Sequence, residues 1–320
     1  MLSLRAFRLL PMEIVALSMV GAAALYAWVF SVSLYLPNGY SATFAINHYV
    51  IAAGIALTIG LLTARRRQEQ ATPILPKALA ALRNIAAFTI IVYLHFNFKL
   101  WAQLVNPILF DDWYQWTDQL LAPVIDGITF VNVGFEFLRQ LMPHAYHDIF
   151  VYMFFSTFIL FSLHPRAHRH CSELTTTIAL ILGLGGISYS IAPAWGPFIY
   201  SFSSDPATWI IQSDMSDFYR RFILSHGQAY SGQHFVAAVA AMPSLHSAHA
   251  FALWMYARRH IPWLGYIYLV ALIFILTEAI ASKWHYLIDL IFGLLIALLC
   301  MLLAKKLHTQ KPDWQAPYTP

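Results

Sequence analysis

The sequence predicts an all-α, polytopic membrane helix bundle of about eight transmembrane helices, with interfacial helices on the outer face. Three observations predict it. Of 320 residues, 59% are hydrophobic and only 11% charged, against about 45–50% apolar and about 25% charged in a soluble domain. The mean hydropathy is +0.61. Apolar runs near the length of about 20 residues that a membrane span requires recur along the chain. The 10 Trp, 17 Tyr and 23 Phe add the aromatic content that membrane–water interfaces favour. Two cysteines exclude a disulfide scaffold and a thiolate metal cluster. The formal charge of +4 is no nucleic-acid signal, because the basic residues sit in short blocks between apolar runs.

The expected spans are 12–36, 42–63, 78–101, 146–163, 172–193, 243–258, 261–281 and 286–304, the fourth and sixth being short. Arg5 and Arg8 precede the first run, which is too long for a cleaved signal peptide and lacks a small-residue cleavage site, so it is expected to be a retained helix. Between the third and fourth spans, residues 102–145 carry Asp111, Asp112, Asp118, Trp113 and Trp116, and are expected to form interfacial helices. Residues 194–242 follow the fifth. They open on the rigid Pro193-Ala194-Trp195-Gly196-Pro197 and pass through an amphipathic helix near Ser216–Leu224 that ends around Gly227. Loops this long in a compact protein usually carry function. No internal repeat or soluble domain is visible, so residues 1–320 read as a single integral membrane domain. Within it, 1–170 supply N-terminal helices, 171–305 a catalytic helix core and 306–320 a cytoplasmic tail.

Orientation follows from the basic residues. With the N-terminus inside, the inner segments hold Arg5, Arg8, Arg65–Arg67, Lys77, Arg83, Arg166, Arg169, Arg258, Arg259, Lys305, Lys306 and Lys311. The outer segments hold only Lys99, Arg139, Arg220, Arg221 and Lys283. Both termini are therefore expected in the cytoplasm, in a membrane of the bacterial inner-membrane type, with the chemistry on the extracytoplasmic face. Cys171 and Cys300 then lie at cytoplasmic ends, where thiols stay reduced.

The chemistry concentrates in Met242-Pro243-Ser244-Leu245-His246 and, about forty residues later, His285-Tyr286-Leu287-Ile288-Asp289. Each stands where an apolar helix begins. The intervening chain runs inward to Arg258-Arg259 and returns, so His246 and His285 are expected on one side of the bilayer. His285 and Asp289 are four apart and share a helix face. A carboxylate there fixes one imidazole tautomer and leaves the other nitrogen free to attack, while a second histidine protonates the leaving oxygen. Two helix N-termini with Ser244, and Lys283 beside them, would cradle an anion. That set describes phosphoryl transfer through a phosphohistidine.

The two motifs resemble those of the type-2 phosphatidic acid phosphatase superfamily, most closely the branch of inositol phosphorylceramide synthase-like proteins. The resemblance covers about residues 189–300, with Ala192–Pro197 a weaker match. It implies that His285 is the nucleophile, Asp289 its orienting partner, His246 the acid and Ser244 a phosphate contact. The sequence also departs from the family. It has no Lys-x6-Arg-Pro motif, and Ala279 stands where an arginine is expected six residues before His285. A phosphate monoester, nearly a dianion, benefits from several fixed cations, whereas a phosphodiester needs fewer. The expectation is therefore head-group transfer from a phospholipid-type donor to an alcohol or lipid acceptor, with lipid phosphate or polyprenyl diphosphate hydrolysis as the alternative. Arg220, Arg221, Lys283 and Lys99 are the candidate replacement cations.

Tyr286, Trp195, Glu278, His249 and Lys99 are the further pocket candidates. Each has a plain reading as well: Lys283 and Lys99 can reach the headgroup layer, as His95 beside Lys99 can, and His249 can simply pack. The expected partners are a phospholipid or polyprenyl-phosphate substrate and membrane lipids, with no nucleic acid, cofactor or metal. Two rival functions remain at this stage. One is a zinc hydrolase using His246, His249, His285 and Asp289; the other is a transporter using Glu278, Lys99 and Asp289.

Overall fold

The computed structural model describes residues 9–39, 41–42, 51, 54–55, 58–59, 62 and 74–309. Most of the second expected span, 42–63, lies outside the described residues. So do Arg5, Arg8, Arg65–Arg67 and Lys311, and the tail beyond residue 309. Long apolar stretches leave the backbone one way to satisfy its polar groups in lipid, the helix, and among the described residues there is no strand. The helices are α1 (Pro11–Phe30), α2 (Ile74–Val105), α3 (Asp111–Leu120), α4 (Ala122–Val133), α5 (Glu136–Leu141), α6 (Ala145–Leu163), α7 (Cys171–Ser188), α8 (Pro206–Leu224), α9 (Leu245–His260), α10 (Pro262–Ala281) and α11 (Leu287–Thr309).

Six of these, α1, α2, α6, α7, α10 and α11, are long and apolar enough to cross a membrane. The sixth expected span is realised as α9, only 16 residues long, with Arg258 and Arg259 in its last turn. It packs against α6, α7, α10 and α11, and Ala248, Ala250, Ala252, Leu253 and Ala257 are fully buried. A helix enclosed by protein rather than lipid can be short and can carry Ser and His near its start.

Between α2 and α6, where interfacial helices were expected, lie the three short helices α3, α4 and α5. The apolar α4 lies along α10, where Ile125 and Ile128 pack on Ala279, Ile280 and Leu290. The expected amphipathic helix is longer than its sequence reading. It starts at Pro206 behind Asp205, whose carboxylate accepts from the Thr208 N–H at 2.8 Å. It buries Gln212, Phe218, Tyr219 and Phe222 and leaves Trp209 and Ile210 exposed. Its end is as expected: Gly227, at φ +83°, returns its N–H to the Phe222 carbonyl at 2.8 Å.

The bundle has two chemically distinct ends. At one, His170 stacks on His260 with ring centroids 3.9 Å apart, and Thr176 meets His308 at 3.1 Å. The basic residues Arg166, Arg169, Arg258, Arg259, Lys305 and Lys306 belong to the segments gathered there. The loops carrying Trp195, Ser244 and His285 lie at the other.

Candidate active site

The segment from Ser282 to Leu287 joins α10 to α11, and every backbone N–H in it has an acceptor. Ser282 donates to Glu278 at 2.9 Å and Lys283 to Ile280 at 3.0 Å, while Trp284 and His285 both donate to the Ala279 carbonyl at 3.0 Å. The Tyr286 N–H reaches Asp289 Oδ2 at 2.9 Å, and the Leu287 N–H reaches Asp118 Oδ1 at 3.0 Å. Neighbouring segments bind its carbonyls: Gln212 Nε2 donates to Ser282 at 2.8 Å, and the Phe198 N–H donates to Lys283 at 3.1 Å. Gly196 permits this approach. It sits at φ +119°, and a Cβ there would stand 2.6 Å from the Trp284 carbonyl. Lys283 itself holds the left-handed conformation, φ +61°.

This frame presents His285 against Asp289. His285 Nδ1 lies 3.3 Å from Asp289 Oδ2, and Asp289 is fully buried. The pairing expected from the four-residue spacing is thus present. It leaves His285 Nε2 with no hydrogen-bond partner among the described residues. The other carboxylate oxygen, Oδ1, is buried and has no hydrogen-bond partner among the described residues.

The first motif docks on the same turn. The Ser244 N–H donates to the Asp289 carbonyl at 3.0 Å. Gly293 makes room for the contact, since a Cβ there would lie 2.4 Å from the Ser244 carbonyl oxygen. Helix starts separated by about forty residues in sequence are thereby held side by side, and His246 interacts electrostatically with His285. The His246 ring packs against Tyr146 and Phe150, with centroid distances of 4.9 and 4.5 Å. Its side chain makes no hydrogen bond among the described residues. The Ser244 hydroxyl is fully buried, caps α9 by accepting from the Ser247 N–H, and lies 2.9 Å from Ser247 Oγ.

The other sequence candidates divide. Lys99, on α2 and half-buried, has no hydrogen-bond or ion-pair partner among the described residues and interacts electrostatically with both His95 and His246. Glu278 is buried and receives Arg139 Nη1 at 2.7 Å and Asn132 Nδ2 at 2.9 Å. Trp195 donates its indole N–H to Gln103 at 2.9 Å. The Tyr286 hydroxyl donates to Asp111 at 2.9 Å. His249 is buried and turns its ring nitrogens to the Leu245 and Ile178 carbonyls, at 2.8 and 3.4 Å. Lys283 Nζ donates to Ser201 Oγ at 2.7 Å and to the Phe202 carbonyl at 3.3 Å. Arg220 and Arg221 are both exposed on α8 and have no ion pair among the described residues. Ala279, the position lacking the expected arginine, is fully buried in the packing between α4, α10 and α11.

Three polar groups around the site were missed by sequence reasoning. Arg139 bridges Glu278 and Glu136. Asp111 and Asp118, both on α3, hold the neighbouring loops. Asp111 accepts from the Trp195 N–H at 3.0 Å, the Gly196 N–H at 2.8 Å and the Tyr286 hydroxyl. Burial raises its carboxyl above the usual carboxylate range, against the lowering effect of those donors. Asp118 is pushed up to about 6 by burial, with a contribution from the nearby Asp289 charge. The sequence signal was their spacing: seven residues, two helical turns, places both on one face. Among the described residues, no three His, Cys, Asp or Glu side chains gather as a metal-binding cluster.

A family model described as the PAP2 superfamily matches residues 129–303, which contain both histidine motifs. No curated protein and no solved structure matches the chain.

Proposed function

The chain belongs to the PAP2 superfamily, and on that premise we propose that it transfers a phosphate-linked head group from a phospholipid-type donor to an alcohol or lipid acceptor. Membership implies phosphatase- or phosphotransferase-type chemistry on lipid phosphates, at the level of the superfamily rather than of one branch. The observation that carries the phosphoryl-transfer chemistry is the His285–Asp289 pair, hydrogen-bonded through the Asp289 carbonyl to the N-cap of the helix bearing His246.

In the proposed reaction, His285 Nε2 attacks phosphorus and forms a P–N bond as the P–O bond to the leaving alcohol breaks. His246 gives that alkoxide its proton. An acceptor hydroxyl then returns a proton to His246 as its oxygen attacks phosphorus, the P–N bond breaks, and both histidines regain their starting state. Asp289 holds Nδ1–H throughout and stabilises the positive imidazole in between. The cations favour a monoanionic phosphodiester over a monoester: Ala279 offers no charge, Arg139 is already paired with Glu278, and Lys99 is the unpaired cation interacting with His246. The asymmetry of the basic residues supports an outer-leaflet, extracytoplasmic site with the basic end of the bundle in the cytoplasm.

The test incubates purified protein with labelled lipid phosphates, diphosphates and phosphodiesters, with and without alcohol acceptors. Transfer predicts label in a new phosphodiester only when acceptor is present. Release of phosphate into water without transfer would replace it by hydrolysis. His285→Ala should lose turnover by about 10⁴-fold or more while eluting as folded protein in detergent. Wild-type turnover by that variant would overturn the assignment.

A further inference from the structure

Helix α3 lies upstream of the matched residues 129–303, yet its side chains contact the two residues that follow His285 directly and the turn that flanks it on the other side. Asp111 is only 3% exposed, and burying a carboxylate is costly unless donors replace its water. Three donors do so, and they come from two separate pieces of the site: the Trp195 and Gly196 N–H groups, and the Tyr286 hydroxyl. Tyr286 is fully buried, so its hydroxyl has no access to water as an alternative. Two turns further along the same face, Asp118 accepts from the Leu287 N–H at 3.0 Å, an N–H at the start of α11. The Trp195–Gly196 turn reaches the histidine from its other side, because the nearby Phe198 N–H holds the Lys283 carbonyl at 3.1 Å. One ten-residue helix thus grips residues 286 and 287 directly and residue 283 through the turn.

We infer that α3 is a positioning element of the catalytic site, with Asp111 and Tyr286 as positioning residues that set the direction of the His285 imidazole. This rests on the reading of His285 as nucleophile. A nucleophile aimed along one line toward phosphorus is sensitive to small displacements; a misplacement of about 1 Å can cost about a hundredfold in rate. The Asp111–Tyr286 bond acts one residue from His285, where a shift transmits directly to the ring. It touches neither substrate nor reacting atoms, so its loss should appear in kcat and not in KM.

The test compares full-length wild type, Tyr286→Phe, Asp111→Asn, the double variant and His285→Ala in detergent, using whichever labelled lipid the substrate panel identifies. Tyr286→Phe removes the hydroxyl and keeps the buried ring, so it decides the matter even if Asp111→Asn fails to fold. The expected result is a fall in kcat of about tenfold or more with KM within about twofold of wild type. The double variant should lose less than the product of the two single losses, because both act on the shared Asp111–Tyr286 bond, which Tyr286→Phe removes and Asp111→Asn weakens by taking away the carboxylate charge. Wild-type kcat in folded Tyr286→Phe, a loss confined to KM, or fully additive losses would overturn the inference. An active His285→Ala would instead overturn the reading beneath it, so the two failures are separable.

Discussion

The surroundings of His285 and His246 differ in kind. From Ser282 to Leu287 each backbone N–H has a named acceptor, and the His285 ring is tied to a buried carboxylate. His246 is held by the rings of Tyr146 and Phe150, with no side-chain hydrogen bond among the described residues. Hydrogen bonds are directional and fix angles; aromatic packing fixes position while tolerating rotation about the ring axis. A group that must attack along a single line needs the first kind of support. A group that gives up a proton and later takes one back is served by the second. The contrast therefore matches the division of labour proposed for the two histidines.

The largest effect should come from breaking the directional half. Asp289→Asn keeps the volume and an acceptor for the Tyr286 N–H but removes the charge facing His285 Nδ1. A loss of kcat of roughly 10³-fold is expected, with folding retained. A loss below about tenfold would mean that the carboxylate orients little. Loosening the packed half should cost less. Phe150→Leu leaves every hydrogen bond near His285 intact, and is expected to lower kcat by less than about tenfold and stability by about 1 kcal/mol, read by thermal unfolding in detergent. If it costs as much as Asp289→Asn, the two histidines are not held differently.

The smallest effect sharpens the picture through pH. Asp118, raised from 3.8 to about 6, binds its proton more tightly in the folded protein than in the unfolded chain. Its contribution to stability is therefore fully present below about pH 4 and is lost as pH rises through 6. Asp118→Asn does not titrate. The melting temperature of wild type relative to that variant should accordingly fall between pH 4 and 7, and a flat difference would show that Asp118 is not perturbed.

Much of the fold was legible because lipid is a demanding solvent: an apolar run of sufficient length has to be a helix, and the runs at 12–36, 78–101, 146–163, 172–193, 261–281 and 286–304 each contain one, although the first stops at Phe30 and that of 172–193 at Ser188. The His285–Asp289 pairing was legible too, because a four-residue separation keeps the two side chains close, although His285 stands two residues before α11 begins. Other features were not. The partners of Glu278 come from α4 and α5, more than 130 residues away, and no local spacing announces them. Lys283 stood beside His285 in the sequence, but its left-handed backbone accompanies an ammonium bound to Ser201. That the Ser244 hydroxyl also caps α9 was not visible either.

Composition and periodicity alone determined that this chain is a helical bundle with two histidine motifs at helix starts, since those depend on local chemistry and on transfer from water to lipid. Tertiary structure decided which carboxylates and cations stand beside those motifs. Asp111, Asp118 and Arg139 reach their partners by contacts between separate elements, and such contacts depend on how helices pack: on the room left at Gly196 and Gly293, and on the need of each buried charge for a donor.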